Sequence, residues 1–106
     1  MKLSKPEGQT LEYKQEWCDT AKKTMIAFAN DLGGILLIGV ADDGEVVGCN
    51  LDQVERSVRS FARDGVEPSM SALVKVRKQI VDDKIITSVL IAPGTERPYS
   101  FRGKVL

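Results

Sequence analysis

A chain of 106 residues, 42% hydrophobic and 28% charged, has the size of one domain and can bury one modest core, which excludes a second domain. Fifteen basic residues balance fifteen acidic ones, so any polyanionic partner must be held by a local patch rather than by the field of the whole molecule. The longest apolar run, Gly33 to Ala41, falls short of the roughly 18–20 residues of a membrane span.

The start, Met1-Lys2-Leu3-Ser4-Lys5, leads into polar residues rather than the apolar stretch of a signal peptide, and a cytoplasmic location is expected. Thr10 to Lys14 alternates apolar and polar, which predicts a short strand with Leu11 and Tyr13 facing in and Glu12 and Lys14 facing out. From Asp19, read as the N-cap, Ala21, Thr24, Met25, Phe28, Ala29 and Leu32 recur at helical spacing, with Gly33-Gly34 as the stop. Ile35 to Val40 is a continuous apolar run, the pattern of a central strand buried on both faces. Asp43-Gly44 predicts a hairpin turn between this strand and Glu45 to Gly48. Asn50 and Gln53 form a capping box, followed by a helix burying Leu51, Val54, Val58, Phe61 and Ala62 and carrying Arg56, Arg59 and Arg63 outside. Ala72–Val81 and Ile85–Ala92 read as two long strands joined at Asp82-Asp83, with Lys75, Arg77 and Gln79 on one side of the first. A loop from Pro93 to Pro98 precedes a last short strand, Tyr99-Ser100-Phe101. The whole predicts an α+β fold, a mixed sheet of about five to six strands with two packed helices, as one domain over residues 1–106.

The chain has no histidine, which removes His-containing zinc sites and Ser–His or Cys–His nucleophile chemistry. Cys18 and Cys49 are too few for a Cys-only zinc site and read as reduced, packed thiols. Catalysis here must rest on carboxylates, Lys, Tyr or a hard metal ion. The Gly33-Gly34 pair belongs to no P-loop, because the Gly-x-x-x-x-Gly-Lys-Ser/Thr pattern is absent.

Four ordered segments carry a resemblance. Glu7-Gly8-Gln9-Thr10-Leu11-Glu12-Tyr13-Lys14, Ala27-Phe28-Ala29-Asn30-Asp31-Leu32-Gly33-Gly34, Ile38-Gly39-Val40-Ala41-Asp42-Asp43-Gly44 with Val47-Gly48, and Pro98-Tyr99 together resemble the Schlafen/AlbA-like domain of bacterial transcriptional-regulator-like proteins. The resemblance covers about residues 7 to 103 and implies an N-terminal domain of a longer protein whose C-terminal part is missing. It implies a nucleic-acid-binding function, with DNA binding as the role expected in transcriptional-regulator-like proteins. It also aligns Glu7, Glu12 and Asp42 with an acidic triplet that, in nuclease members, holds Mg or Mn and cleaves RNA; the alternative for these three is a mobile segment, an exposed strand residue and plain turn chemistry. For phosphate contacts the candidates are Lys14, Lys22, Lys23, Lys75, Arg77, Arg97 and Arg102, each of which alone reads as a solvated charge. Trp17 and Tyr99 are candidate base-stacking residues, with core packing as the alternative for Trp17. Asn30, a polar residue among apolar neighbours, is expected to tie down backbone near the helix end. Besides the ribonuclease, a purely structural dimerisation module is an alternative function. The resembled family pairs two lobes around a groove, and this chain, having no internal repeat, is expected to restore the second lobe as a homodimer lined by basic residues of both copies.

Overall fold

The computed structural model describes residues 2–3 and 7–103; the sequence readings on Met1, Ser4, Lys5 and residues 104–106 lie outside them. The elements are β1 (Leu11–Lys14), α1 (Asp19–Ala29), β2 (Gly34–Ile38), α2 (Leu51–Asp64), β3 (Val66–Glu67), a 3-10 turn at Ser71–Leu73, β4 (Val74–Val81), β5 (Lys84–Ile91) and β6 (Ser100–Phe101). They form an α+β fold with a mixed sheet in the order β1-β2-β5-β4 and a small β3-β6 sheet. β1 runs parallel to β2, which the α1 crossover between them allows, and the other pairs are antiparallel.

Both helices cover one side of the larger sheet. Ala21, Met25, Phe28 and Ala29 of α1 and Val54, Val58 and Ala62 of α2 pack on Leu36, Ile38, Val74, Val89 and Ile91. The opposite side is covered at one end only, where Val40 and Val46 close over Tyr13, Leu37 and Ile86. Register and side-chain alternation then sort every sheet residue by face. Glu12 and Lys14, opposite Leu36 and Ile38, belong to the helix-bearing side, whereas Lys75, Arg77 and Gln79 belong to the other.

The ends of α1 differ from expectation in an instructive way. Cys18, extended at φ −158°, is the N-cap, and Asp19 lies in the first helical turn, where its charge complements the helix dipole. The helix stops at Ala29, and Gly33, at φ +77°, donates its N–H to Phe28 O at 2.8 Å. That left-handed backbone suits glycine, and a Cβ there would stand 2.5 Å from Ile91 O. The cap of α2 is as read from sequence: Gln53 N donates to Asn50 Oδ1 at 3.0 Å.

The hairpin after β2 is shorter than expected. Asp42 and Asp43 make the turn, with Gly44 N donating to Ala41 O at 2.8 Å, but only the isolated Val40–Val46 bridge follows, and Glu45 to Gly48 forms no strand. Nor is the central strand buried throughout, since Ile35 is 38% exposed on the side that no helix covers. β3 was not foreseen, because two residues are too short to show a period.

Candidate nucleic-acid interface

Two motifs far apart in sequence meet at the end of α1. The Asn30 side-chain amide donates to Tyr99 O at 2.9 Å, and Tyr99 N donates to Asn30 Oδ1 at 2.7 Å. Asn30 thus pairs with Tyr99 as a neighbouring strand would and anchors the chain where it returns towards β6. Tyr99 is 3% exposed and its hydroxyl accepts from Glu96 N at 3.2 Å. The expected base-stacking role of Tyr99 is therefore wrong: its ring is core, and no base can reach it.

Of the carboxylates Glu7, Glu12 and Asp42, Glu7 and Glu12 lie at β1, and the charge of Asp42 acts on Glu12. Glu7 Oε1 accepts from Tyr13 N at 3.2 Å, satisfying a donor on the outer edge of β1. Glu12 is held above its ordinary carboxylic value, first by burial, then by a hydrogen bond to Glu7 and by the Glu7 charge, with a smaller push from Asp42 and an opposing pull from Lys14. As the side chains stand, no three Asp, Glu or Cys residues among those described are disposed to hold a metal ion. Three carboxylates without histidine are chemically the donors that Mg or Mn prefers.

Lys14 links this cluster to the start of α1. Burial works against the Cys18 thiolate, yet the Thr20 hydroxyl, the backbone N–H groups of Ala21 and Thr20 and the Lys14 ammonium outweigh it and hold the thiol below its usual value.

Further along the helix-bearing side lies an open groove of about 1180 Å³, lined among others by Trp17, Lys22, Arg56, Arg59, Phe61 and Arg63. The three arginines are spaced i, i+3 and i+7 on α2, which places them on one line of the helix surface, turned away from the buried Val54 and Val58. Arg59 pairs with Glu55 at 3.0 Å and Arg63 with Asp64 at 2.9 Å, whereas no ion pair joins Arg56 to another described residue. Arg102 stands at the groove's end, donating its N–H to Gly65 O at 2.9 Å, with its charge reaching Asp64.

The basic residues singled out by sequence do not share one surface. Lys22 and Arg102 reach the groove and Lys14 lies on its side of the sheet. Lys75 and Arg77 project from the opposite face, and Arg97 turns its guanidinium onto Gly94 O at 2.8 Å. Lys23 is exposed on α1, next to Lys22 but outside the groove lining. Sequence had placed Arg56, Arg59 and Arg63 on the outer face of α2; that this face borders a groove with Trp17 and Lys22 depends on how the helices pack.

The neighbours of this fold can now be stated. The solution structure of the N-terminal domain of a putative ATP-dependent DNA helicase RecG-related protein from Nitrosomonas europaea is similar, with a TM-score of 0.66 and 22% identity over 92% of this chain and 71% of that one. The DIP2311 protein from Corynebacterium diphtheriae is similar over 83% of this chain but 18% of its own length, with a TM-score of 0.60 and 18% identity. At these identities the likeness concerns the fold. No curated protein matches the sequence. Residues 7–106, however, match the family described as Schlafen, AlbA_2, and the chain belongs to it.

Proposed function

We propose that this chain is a nucleic-acid-binding domain that grips the phosphate backbone, as a module of a longer regulator-like protein. The observation that carries the reading is local: in a chain of zero net charge, Lys22, Arg56, Arg59 and Arg63 border one groove whose lining holds three carboxylates, Asp52, Glu55 and Asp64, and so has a positive surplus. Phosphates are the ligands that such a line of guanidinium groups suits, by paired N–H donors and by charge. The printed name of the Nitrosomonas protein, a DNA helicase relative, agrees with this reading. The test is a salt titration of affinity for a nucleic acid. Log affinity should fall linearly with log salt concentration, and Arg56→Ala should reduce the slope by about one unit. An affinity unchanged between low and high salt would remove the reading.

A second reading, RNA cleavage at Glu7, Glu12 and Asp42, is favoured by one observation: Glu7 folds back to accept from Tyr13 N, next to Glu12, whose ionisation the charges of Glu7 and Asp42 both oppose. Like charges repel, and a fold that gathers them is arranged to be neutralised by a proton or a cation. A Mg or Mn ion held by the three would supply an activated water. Glu12 would bind the ion as a carboxylate, and Lys14 would set a positive charge beside it. Incubation of RNA with Mn should give cleavage that Glu12→Gln abolishes; intact RNA would leave binding alone.

A homodimer is a further proposal, and the open edge at β4 is not its natural seam. Lys75, Arg77 and Lys78 line that edge strand, and such charges discourage edge-to-edge pairing.

A further inference from the structure

We infer that the groove along α2 takes single-stranded nucleic acid, with unpaired bases against Trp17 and Phe61 and phosphates on Lys22, Arg56 and Arg59. The inference rests on the nucleic-acid reading above and names the kind of nucleic acid.

Its basis is the placement of the aromatic residues. The chain has six: one Trp, two Tyr and three Phe. Tyr13, Phe28 and Tyr99 are buried in the two cores. The other three, Trp17, Phe61 and Phe101, form a single row at the surface. Trp17 meets Phe61 edge-on with ring centroids 5.9 Å apart, and Phe61 meets Phe101 at 5.9 Å with a tilt of 49°. Each ring is partly buried against the core, so its remaining surface is fixed in direction and faces out. Packing alone needs no such row, since half-exposed rings leave apolar surface in water.

The surroundings fit bases and phosphates together. Trp17 lines both the groove and a smaller cavity of about 370 Å³ beside it, so its indole stands between the two. The Lys22 ammonium lies 5.7 Å from the Phe61 centroid, over a ring face that already attracts a cation. The groove's volume exceeds the roughly 300–1,000 Å³ of the usual small-molecule pocket, which leaves room for more than one nucleotide. Asp52, Glu55 and Asp64 line the groove beside its four cations, and Glu55 pairs with Arg59, Asp64 with Arg63 and Lys22 with Asp19, so the lining keeps a small positive surplus in which Arg56 has no ion pair with a described residue.

A duplex would use this surface poorly. Its bases are stacked on one another, so it offers a groove wall only phosphates and base edges and leaves the apolar faces of Trp17 and Phe61 unmatched. A single strand presents π-faces, and aromatic side chains that stack on them contribute substantially and without sequence preference.

Trp17 is the only tryptophan, so the indole fluorescence of the chain reports on the groove and the cavity beside it. The test titrates the full chain at low salt with an oligothymidylate of about 12 nucleotides and, separately, with a DNA hairpin duplex of the same nucleotide count. Expected are quenching of Trp17 by the single strand and about tenfold tighter binding of it than of the duplex. Trp17→Leu, which keeps an apolar group against the core, should weaken single-strand binding about tenfold while changing duplex binding little. Should that variant not fold, Phe61→Leu and the quenching of the unmodified chain carry the test. Equal affinity for both forms without quenching overturns stacking and leaves the nucleic-acid reading intact. No binding to either at low salt overturns that reading itself. Trp17 emission that changes with protein concentration alone would show the groove covered by a second copy, which also overturns the inference.

Discussion

Replacing Asn30 by Ala tests the clamp on which the end of the fold depends. Two hydrogen bonds disappear, at 2.9 and 2.7 Å, and both belong to the backbone of Tyr99, a residue 3% exposed. Each bond contributes about 1 kcal/mol net, and a buried group left without a partner costs about 1–3 kcal/mol. Partial access of water to the groups set free lowers the sum, so a loss of about 2–4 kcal/mol is expected. A domain of this size has a total stability of about 5–15 kcal/mol, so the loss is a large share of it. The transition should move down by about 10–20 °C. Urea unfolding measures it: the midpoint should fall while the slope stays unchanged, which separates lost stability from altered compactness.

Asn30→Asp sharpens the test because it keeps the acceptor and loses the donor. One carboxylate oxygen can still accept from Tyr99 N, but the other is set against Tyr99 O. Repulsion raises the folded-state pKa of the new carboxyl, so its stabilising contribution is present below the unfolded value of about 3.9 and is lost as pH rises through the folded value. At pH 7 the Asp variant should be at least as unstable as the Ala variant, with partial recovery on acidification. An Asn30→Ala protein within about 0.5 kcal/mol of the parent would refute the clamp.

Glu12→Gln should stabilise the domain at neutral pH, because the folded state resists ionisation of Glu12 and the penalty is absent below its unfolded pKa and grows as pH rises through the folded one; thermal melts at pH 7 and pH 4 should show a gain at pH 7 that shrinks at pH 4. Gly65→Ala places a Cβ 2.5 Å from Phe61 Cδ1, so despite an ordinary φ of −95° the ring must swing aside; about 1–3 kcal/mol of destabilisation in urea and an altered Trp17 emission are expected.

Much of the fold was legible because its signals are local. The Asn50–Gln53 cap, the Gly33 stop and the turn at Asp82-Asp83, both at positive φ, each depend on a few adjacent residues. Less was legible where partners are distant. Nothing near Asn30 says that its amide will meet Tyr99, 69 residues on. The alternation along β4 foretold that Lys75 and Arg77 share a face, but not that this face lies opposite the helices, since the choice of side belongs to the packing of α1 and α2. Ile80, 62% exposed, shows the same limit: it points to the helix-bearing side but lies beyond what the helices cover. The acidic cluster needed both kinds of information. Glu7, Glu12 and Asp42 could be named as a triplet from family resemblance, while the hydrogen bond that Glu7 accepts from Tyr13 N arises from the turn that brings residues 7–11 back on β1.

The sheet also decides how charge can act in a chain whose total is zero. Lys75 and Arg77 stand on one side, and Lys22, Arg56, Arg59 and Arg63 border a groove on the other, in a molecule at least 22 Å across. At about 0.1 M salt the screening length is about 10 Å, so neither set feels the other through solvent. No long-range field steers a polyanion to the protein, and the ligand must already be close before the arginine line acts on it. Contact therefore has to supply what steering does not, and at the groove the available contact is aromatic. If the groove binds as proposed, a backbone on Arg56 and Arg59 would gain further affinity through the surface that Trp17 and Phe61 present, so charge and stacking at this site should rise and fall together. On the opposite face, Leu11, Ile35 and Leu90 accompany Lys75 and Arg77 and no carboxylate projects from the strands there. Its cations lack an aromatic row, and any phosphate they hold should be held by charge alone and released first as salt is raised.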